Sequence, residues 1–432
     1  MHLSPAPTSP LNPQSWPFDL KHLPLNAHLV GGSVRDALLQ RQGDYLDLDV
    51  VVPSAAVETA QALARCYRAG FVVLDAKRHI ARVVFDRATV DVALQEGSTL
   101  EADLGRRDFT VNAIAYNPHS QTLIDPLNGY RDLEAQQLRM ISAANLEADP
   151  LRLLRAYRQA AQLQFSIDPA TAATIAHLAP HLGRIAAERI QSELNALLHH
   201  PQGTPWIEAA WQVGLFQTWL PSLDALAMAH LLKLDHGAQG LMERWPALAA
   251  SFQQPIPLTR KESSPRTGLA LAKLTTLLAT EDDRAEKEWQ TLKGSRAEIR
   301  AVGLLRRLQP QLRLQPLSIR QQYLLFQSAQ GLLPVLALLG LTEPGQPCFC
   351  GPGSQGGADR SAGILGLVER FLDPTDPVAH LKPLVTGQAL VQTLDLKPGP
   401  HIGHLLTELQ VAQAEGRIDS PAAALALARS WQ

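Results

Sequence analysis

A chain of 432 residues exceeds one ordinary hydrophobic core, so roughly two to four domains are expected. Its 46% hydrophobic content suits a soluble globular protein, and no apolar run approaches a membrane span; the longest, near 332–341 and 422–428, are too short. A formal net charge of −2 excludes a uniformly basic nucleic-acid binder, although arginines cluster at Arg106 and Arg107, at Arg152, Arg155 and Arg158, and between Arg296 and Arg320. Such clusters suit an enzyme that holds a polyanion transiently. Three cysteines, Cys66, Cys348 and Cys350, argue against a disulfide framework and fit a reducing cytoplasm.

The opening MHLSPAPTSPLNPQSWP is Pro-rich and lacks a basic start followed by an apolar core, so a flexible arm is expected over 1–20. An apolar pair at 29–30 then feeds the turn Gly31-Gly32-Ser33, whose backbone N–H groups can face an anion as a helix opens. The next strand, 46–52, carries Asp47 and Asp49. Residues two apart on a strand point to one face, so both carboxylates converge there, and Val50, Val51 and Val52 continue the strand with β-branched side chains. A phosphate cradle opposite a carboxylate pair is what metal-assisted nucleotidyl transfer requires, because hard divalent ions take carboxylate and phosphate oxygens together. A helix is predicted over 55–67 and strands over 71–74, 81–85 and 89–94, the last bearing Asp91 as a third candidate carboxylate.

Beyond Pro150 strand signals almost stop. Helices are predicted over 151–164, 169–178, 186–199 and 225–232, giving a small α/β head on a long all-helical remainder. Gly- and Pro-rich linkers are expected at 251–267 and 346–362. Cys348-x-Cys350, the pairs His199-His200 and Asp235-His236, and His401 with His404 all lack a second metal-ligand pair.

The strings LVGGSVRD with DLD, RRDFTVNAIAYN, DPLNGYRDL and DPLRLLRAYRQAAQLQF, in that order, resemble the bacterial-type (class II) tRNA nucleotidyltransferase and poly(A) polymerase family. VTGQALVQTLDLKPGPHIGHLL resembles the family's tail. The resemblance implies an α+β chain: a flexible arm over 1–20, a mixed-sheet nucleotidyltransferase head over 21–140, and a helical base-recognition neck over 141–202. A helical body over 203–345, a linker over 346–362 and a tRNA-binding tail over 363–432 would follow. It further implies that Asp47 and Asp49 hold catalytic Mg²⁺, with Asp91 a weaker third ligand. Gly31, Gly32, Ser33 and Arg35 would meet phosphates, with Arg106 and Arg107 near them, and Asp108 with Asn112 the ribose side. Asp149 and Arg152 would read the base, because a carboxylate accepts from the amine of cytosine or adenine while an arginine donates to the adjacent ring nitrogen. Arg155, one turn after Arg152, would assist at phosphate or ribose.

Two departures stand out. Ala148 occupies a position that usually carries Glu, with Glu147 one step earlier. Only 14 residues separate Asp91 from Arg106, where full CCA-adding members carry a longer flexible loop that helps the pocket switch from CTP to ATP. Addition of the two cytidines alone is therefore favoured over the complete CCA end, with tRNA, CTP and conceivably ATP as partners, no membrane, and a separate A-adding enzyme acting afterwards. A poly(A)-adding or A-adding enzyme of the same fold, and a non-catalytic RNA-binding relative, are the alternatives.

Overall fold

The computed structural model describes residues 6, 9–41, 43, 45–257, 263–345, 358–397 and 399–431. The chain divides into two compact units, 1–185 with 209–215, and 186–208 with 216–432. The helices expected to form a neck are thus split, those before residue 186 folding with the head.

The first unit is built on a seven-stranded sheet: β1 (His28–Val30), β2 (Leu46–Val52), β3 (Gly70–Asp75), β4 (Ile80–Phe85), β5 (Ala88–Leu94), β6 (Ala115–Asn117) and β7 (Thr122–Ile124), in the order β3-β4-β5-β2-β1-β6-β7. β2 and β5 run parallel, with Asp47 opposite Thr89 and Asp49 opposite Asp91, and the other pairs are antiparallel. Leu48, Val50 and Val52 are buried, each worth about 1.5–3 kcal/mol. Their alternation turns Asp47 and Asp49 to the opposite face. Helices α1 (Gly32–Leu38), α2 (Ala56–Tyr67) and α3 (Leu100–Gly105) connect these strands. Leu104 of α3 packs with Val30, Val51, Ala113 and Ala115, which pins the short connection after β5 to the sheet.

Helices α4 (Gly129–Glu134), α5 (Ala143–Ala148), α6 (Leu151–Leu163) and α7 (Pro169–Leu178) complete this unit. α6 buries Leu153, Leu154, Ala156, Ala160 and Ala161, leaving Arg152, Arg155 and Arg158 on its other side. It ends at Gln164 in the left-handed region, φ 60°. A parallel pair, Gln137–Leu138 with Ser166–Ile167, and Arg139 bonded to both Asp132 and Asp168, tie the helices to the strands.

The amino-terminal arm is folded where it is described from Ser9 onward, which corrects the expectation of flexibility. Trp16 and Phe18 are buried, Phe18 stacks on Phe85 at 6.0 Å and meets Tyr67 edge-on, and Trp16 Nε1 donates to Pro10 at 2.8 Å. Two buried aromatics outweigh the proline-rich composition around them.

Among the described residues, the second unit's regular structure is helical apart from the antiparallel pair Pro255–Pro257 and Ser263–Thr267. Arg266, expected in a linker, is 2% exposed; it bonds Glu298 at 2.7 Å and lies 4.8 Å over the Trp289 ring. Buried Lys273 bonds Asp235 at 2.6 Å, so these cations carry their own counter-charges. Ile319–Leu341 is long and apolar enough by composition to cross a membrane, contrary to expectation. It is broken at Gln330 (φ 45°) and 67% of its apolar 18-residue stretch is buried, as in a core helix pair. Gly387–Leu394, Pro400–Ala414 and Pro421–Arg429 close around Leu390, Leu409, Ala412 and Ala424. His401 and His404 are exposed, and among the described residues no group of three or more His, Cys, Asp or Glu is placed to hold a metal. Cys348 and Cys350 lie outside the described residues.

Candidate active site

The end of β1 delivers the chain to Gly31, whose φ of +72° only glycine adopts without strain. A side chain is excluded there for a second reason: a Cβ would sit 3.2 Å from Asp49 Oδ2 and 3.4 Å from Arg107 Nη1. The turn, strand β2 and Arg107 therefore meet at one point.

Asp47 is exposed and Asp49 half-buried on the same face of β2. Burial, then the charges of Asp47 and Asp91, push Asp49 up to about 6. Thr89 Oγ1 donates to Asp47. Asp91 is not a third member of the pair: Arg82 on β4 donates to both of its oxygens, at 2.6 and 2.8 Å. The strand register brings Asp91 beside Asp49, but the neighbouring hairpin strand claims its carboxylate. What remains is two carboxylates whose mutual repulsion is relieved by no cation at bonding distance among the described residues. That donor set and that raised proton affinity fit a divalent cation with oxygen ligands.

Two clefts join at this pair. The first, about 390 Å³, is lined by Gly31, Gly32, Arg35, Asp49, Arg107, Asp108, Asn112, Asp149, Arg152, Arg155, Arg158 and Gln159. Five arginines against three aspartates make it a receptacle for a polyanion. The second, about 750 Å³, shares Gly32, Arg35 and Asp49 and adds Asp47, Ser33, Tyr45, Arg41 and Arg87. Asp49 thus borders both clefts, and Asp47 the second.

Buried Asp108 sits at the centre of the first cleft's wall. Its burial is outweighed by the Arg155 charge and by bonds from Asn112 and the Phe109 N–H, which hold its carboxyl below the usual range. Arg155 reaches it at 3.1 Å, and Asn112 Nδ2 at 2.9 Å. Asn112 also donates to Gln159 at 2.9 Å and accepts from Arg35 at 2.7 Å, so it links the turn, the wall and α6. Arg152 Nη1 donates to the carbonyls of Arg106 at 2.8 Å and Asn145 at 3.2 Å. Asp149 lines the cleft; the Leu151 N–H is 3.4 Å from its Oδ1, longer than a good helix cap.

Of the residues singled out from sequence, Gly31, Gly32, Arg35, Asp49, Asp108, Asn112, Asp149, Arg152 and Arg155 converge here. Ser33 does not line the first cleft; its hydroxyl donates to the Val30 carbonyl at 3.0 Å. Of the expected arginine pair, Arg107 lines the first cleft and Arg106 lines neither, its guanidinium being bound by Asp103 and Glu96. Arg158 was expected only as a member of a basic cluster, and Gln159 was missed. Gln159 was recoverable, since Arg152, Arg155 and Gln159 fall on one face at i, i+3 and i+7.

Three family models match: Poly A polymerase head domain over 27–139, probable RNA and SrmB-binding site of polymerase A over 164–226, and putative tRNA nucleotidyltransferase domain 2 over 365–428. A CC-adding tRNA nucleotidyltransferase of Synechocystis sp. is 46% identical over 426 residues, 96% of each chain. The chain belongs to the tRNA nucleotidyltransferase family. It is a nucleotidyltransferase. Relatives at 32% identity include a CC-adding enzyme of Geobacter sulfurreducens (94% of this chain, 91% of the relative) and an A-adding enzyme of Deinococcus radiodurans (95% and 97%). A CCA-adding enzyme solved with ATP shares the fold, with TM-score 0.70 at 21% identity over 94% of this chain and 91% of that one. The Thermotoga maritima CCA-adding enzyme complexed with tRNA aligns at TM-score 0.66 and 22% identity, with coverage of 94% and 91%. The tRNA nucleotidyltransferase fold thus embraces both units.

Proposed function

We propose that this chain adds two cytidines to the 3′ end of tRNA from CTP, with release of pyrophosphate, and leaves the terminal adenosine to a separate A-adding enzyme in the same cytoplasm. The observation that carries the reading is the closed connection between β5 and the arginine pair. Leu94 ends the strand, Thr99 caps α3 and Asp103 receives the Glu96 N–H, so the segment is a short ordered turn and helix. The 46%-identical relative bears the CC-adding name, which supports the same choice.

Asp47 and Asp49 would hold Mg²⁺, which when bound supplies electrostatic stabilisation of the attacking and leaving oxygens. The chain's own residues do the rest. Arg35, Arg107 and Arg155 line the cleft where a triphosphate would lie, and with Asp108 and Asn112 they present a fixed hydrogen-bonding wall. Asp149 accepts from the exocyclic amine of the base and Arg152 donates to the adjacent ring nitrogen, a pair that uracil and guanine leave unmatched. The second cleft, which shares Asp49 and adds Asp47, receives the tRNA 3′-hydroxyl. That oxygen attacks the α-phosphorus in line, its proton passes to solvent, and the α-phosphorus–oxygen bond to the β-phosphate breaks as pyrophosphate leaves.

The deciding experiment incubates the purified protein with tRNA lacking all three terminal residues, Mg²⁺, and CTP, ATP or both, read on a sequencing gel. Two added residues, unchanged by ATP, are expected. A third residue with ATP would identify complete CCA addition, and addition of adenosine to tRNA ending in CC without CTP use would favour the A-adding reading that the Deinococcus relative represents.

A further inference from the structure

We propose that Asp103 is the positioning residue that restricts this cleft to one base, by tying the β5–α3 connection to Arg152; this rests on the CC-addition reading. Asp103 lies on α3 and is fully buried. Its Oδ1 accepts from Arg106 at 2.8 Å and from the Glu96 N–H at 3.0 Å, and its Oδ2 accepts from Arg107 at 3.0 Å. One buried carboxylate therefore neutralises two adjacent arginines and closes the turn before the helix. Such charge-assisted bonds are about twice as strong as neutral ones.

The consequence reaches the base-reading side chain through the backbone. Because Arg106 is held by Asp103, its carbonyl is fixed where it accepts Arg152 Nη1 at 2.8 Å. Asn145 completes the lattice from α5: its amide donates to the carbonyls of Gly105 and Arg107, both at 2.8 Å, and its own carbonyl accepts the same Arg152 nitrogen at 3.2 Å. One end of the Arg152 guanidinium is thus bracketed by two carbonyls, both secured to the connection. Arg107, held by the same carboxylate, lines the cleft beside Gly31.

A reader that serves both cytosine and adenine must move its donor, because the one-ring and two-ring bases carry the amine and the ring acceptor at different distances from the sugar. An Arg152 bracketed in this way has one position. The mechanism of restriction is therefore the presence of an anchor as well as the shortness of the connection, and Leu104 in the sheet core keeps that anchor in place.

The test compares kcat/KM for CTP on tRNA lacking CCA with kcat/KM for ATP on tRNA ending in CC, in the parent, Asp103→Asn, Asp103→Glu and Asn145→Ala proteins. Asp103→Asn is expected to lower the CTP:ATP ratio by about tenfold or more, with partial recovery in Asp103→Glu. Asn145→Ala, which leaves the Asp103 ion pairs intact, is expected to move the ratio the same way by a smaller factor and decides the matter if Asp103→Asn does not fold. A CC-adding parent whose variants lose both activities equally, or neither, would overturn the role of Asp103 while leaving CC addition standing. A parent that adds adenosine efficiently would overturn both, because a bracketed Arg152 would then read two bases.

Discussion

The floor and the wall of the nucleotide cleft treat carboxylates in opposite ways. On the floor, Asp49 is pushed up to about 6 by burial and by Asp47 and Asp91, which outweigh the more distant charges of Arg107 and Arg82. On the wall, Asp108 is held below the usual range despite burial, because Arg155, Asn112 and the Phe109 N–H converge on it. The wall is finished by the fold itself. The floor is left with carboxylates in mutual repulsion, which on the proposed reading receive a cation from solution, while neutralised charge marks the wall.

The largest break of this contrast is Asp49→Asn. It is expected to lower nucleotide incorporation by roughly a thousandfold or more while stabilising the metal-free protein, since it removes the repulsion. Asp108→Asn should act in the reverse sense on stability. It leaves Arg155 without its carboxylate, and should cost about 2–4 kcal/mol in denaturant unfolding together with roughly a hundredfold loss of incorporation. Gly31→Ala forces a Cβ into a +72° turn 3.2 Å from Asp49 Oδ2, and a loss of about tenfold in kcat/KM for CTP with about 1 kcal/mol of stability is expected. The smallest effect is that of Arg82→Gln. It frees Asp91 to add its full charge beside Asp49, so the acid limb of the pH–rate profile should move to higher pH; an unmoved limb would mean that Asp91 does not couple to the floor.

The floor was legible in the sequence because it obeys strand periodicity: Leu48, Val50 and Val52 point inward and Asp47 and Asp49 outward. The wall was legible in Asp108, Arg152 and Arg155, which lie in ordered motifs and on one helix face. Tertiary choices were not. Arg82 claims Asp91 across a hairpin, and no pattern along the chain announces that pairing. Arg106 and Arg107 are adjacent and alike and both bond buried Asp103, and only the further pairing of Arg106 with Glu96 sets them apart in the structure. Gln159 shares a helix face with Arg152 and Arg155, but its bonds to Asn112 and Asp108 are tertiary and no pattern along the chain announces them. The strands β6 and β7 span three residues each, too few for periodicity to register. Trp16 and Phe18 were hidden by the prolines around them.

The most direct test of the floor is the stability difference between Asp49→Asn and the native protein in EDTA, measured by thermal melting from pH 4 to 8. Asp49 binds its proton more tightly folded (about 6) than unfolded (about 4), so the stability conferred by that proton is complete below about pH 4 and is lost as pH rises through 6. The variant does not suffer that loss. Its melting temperature should gain on the native protein between pH 4 and 7, levelling off at roughly 2–6 °C after allowance for solvent screening. A difference that does not change with pH would contradict the reading of the floor as an unneutralised carboxylate pair built to receive a cation.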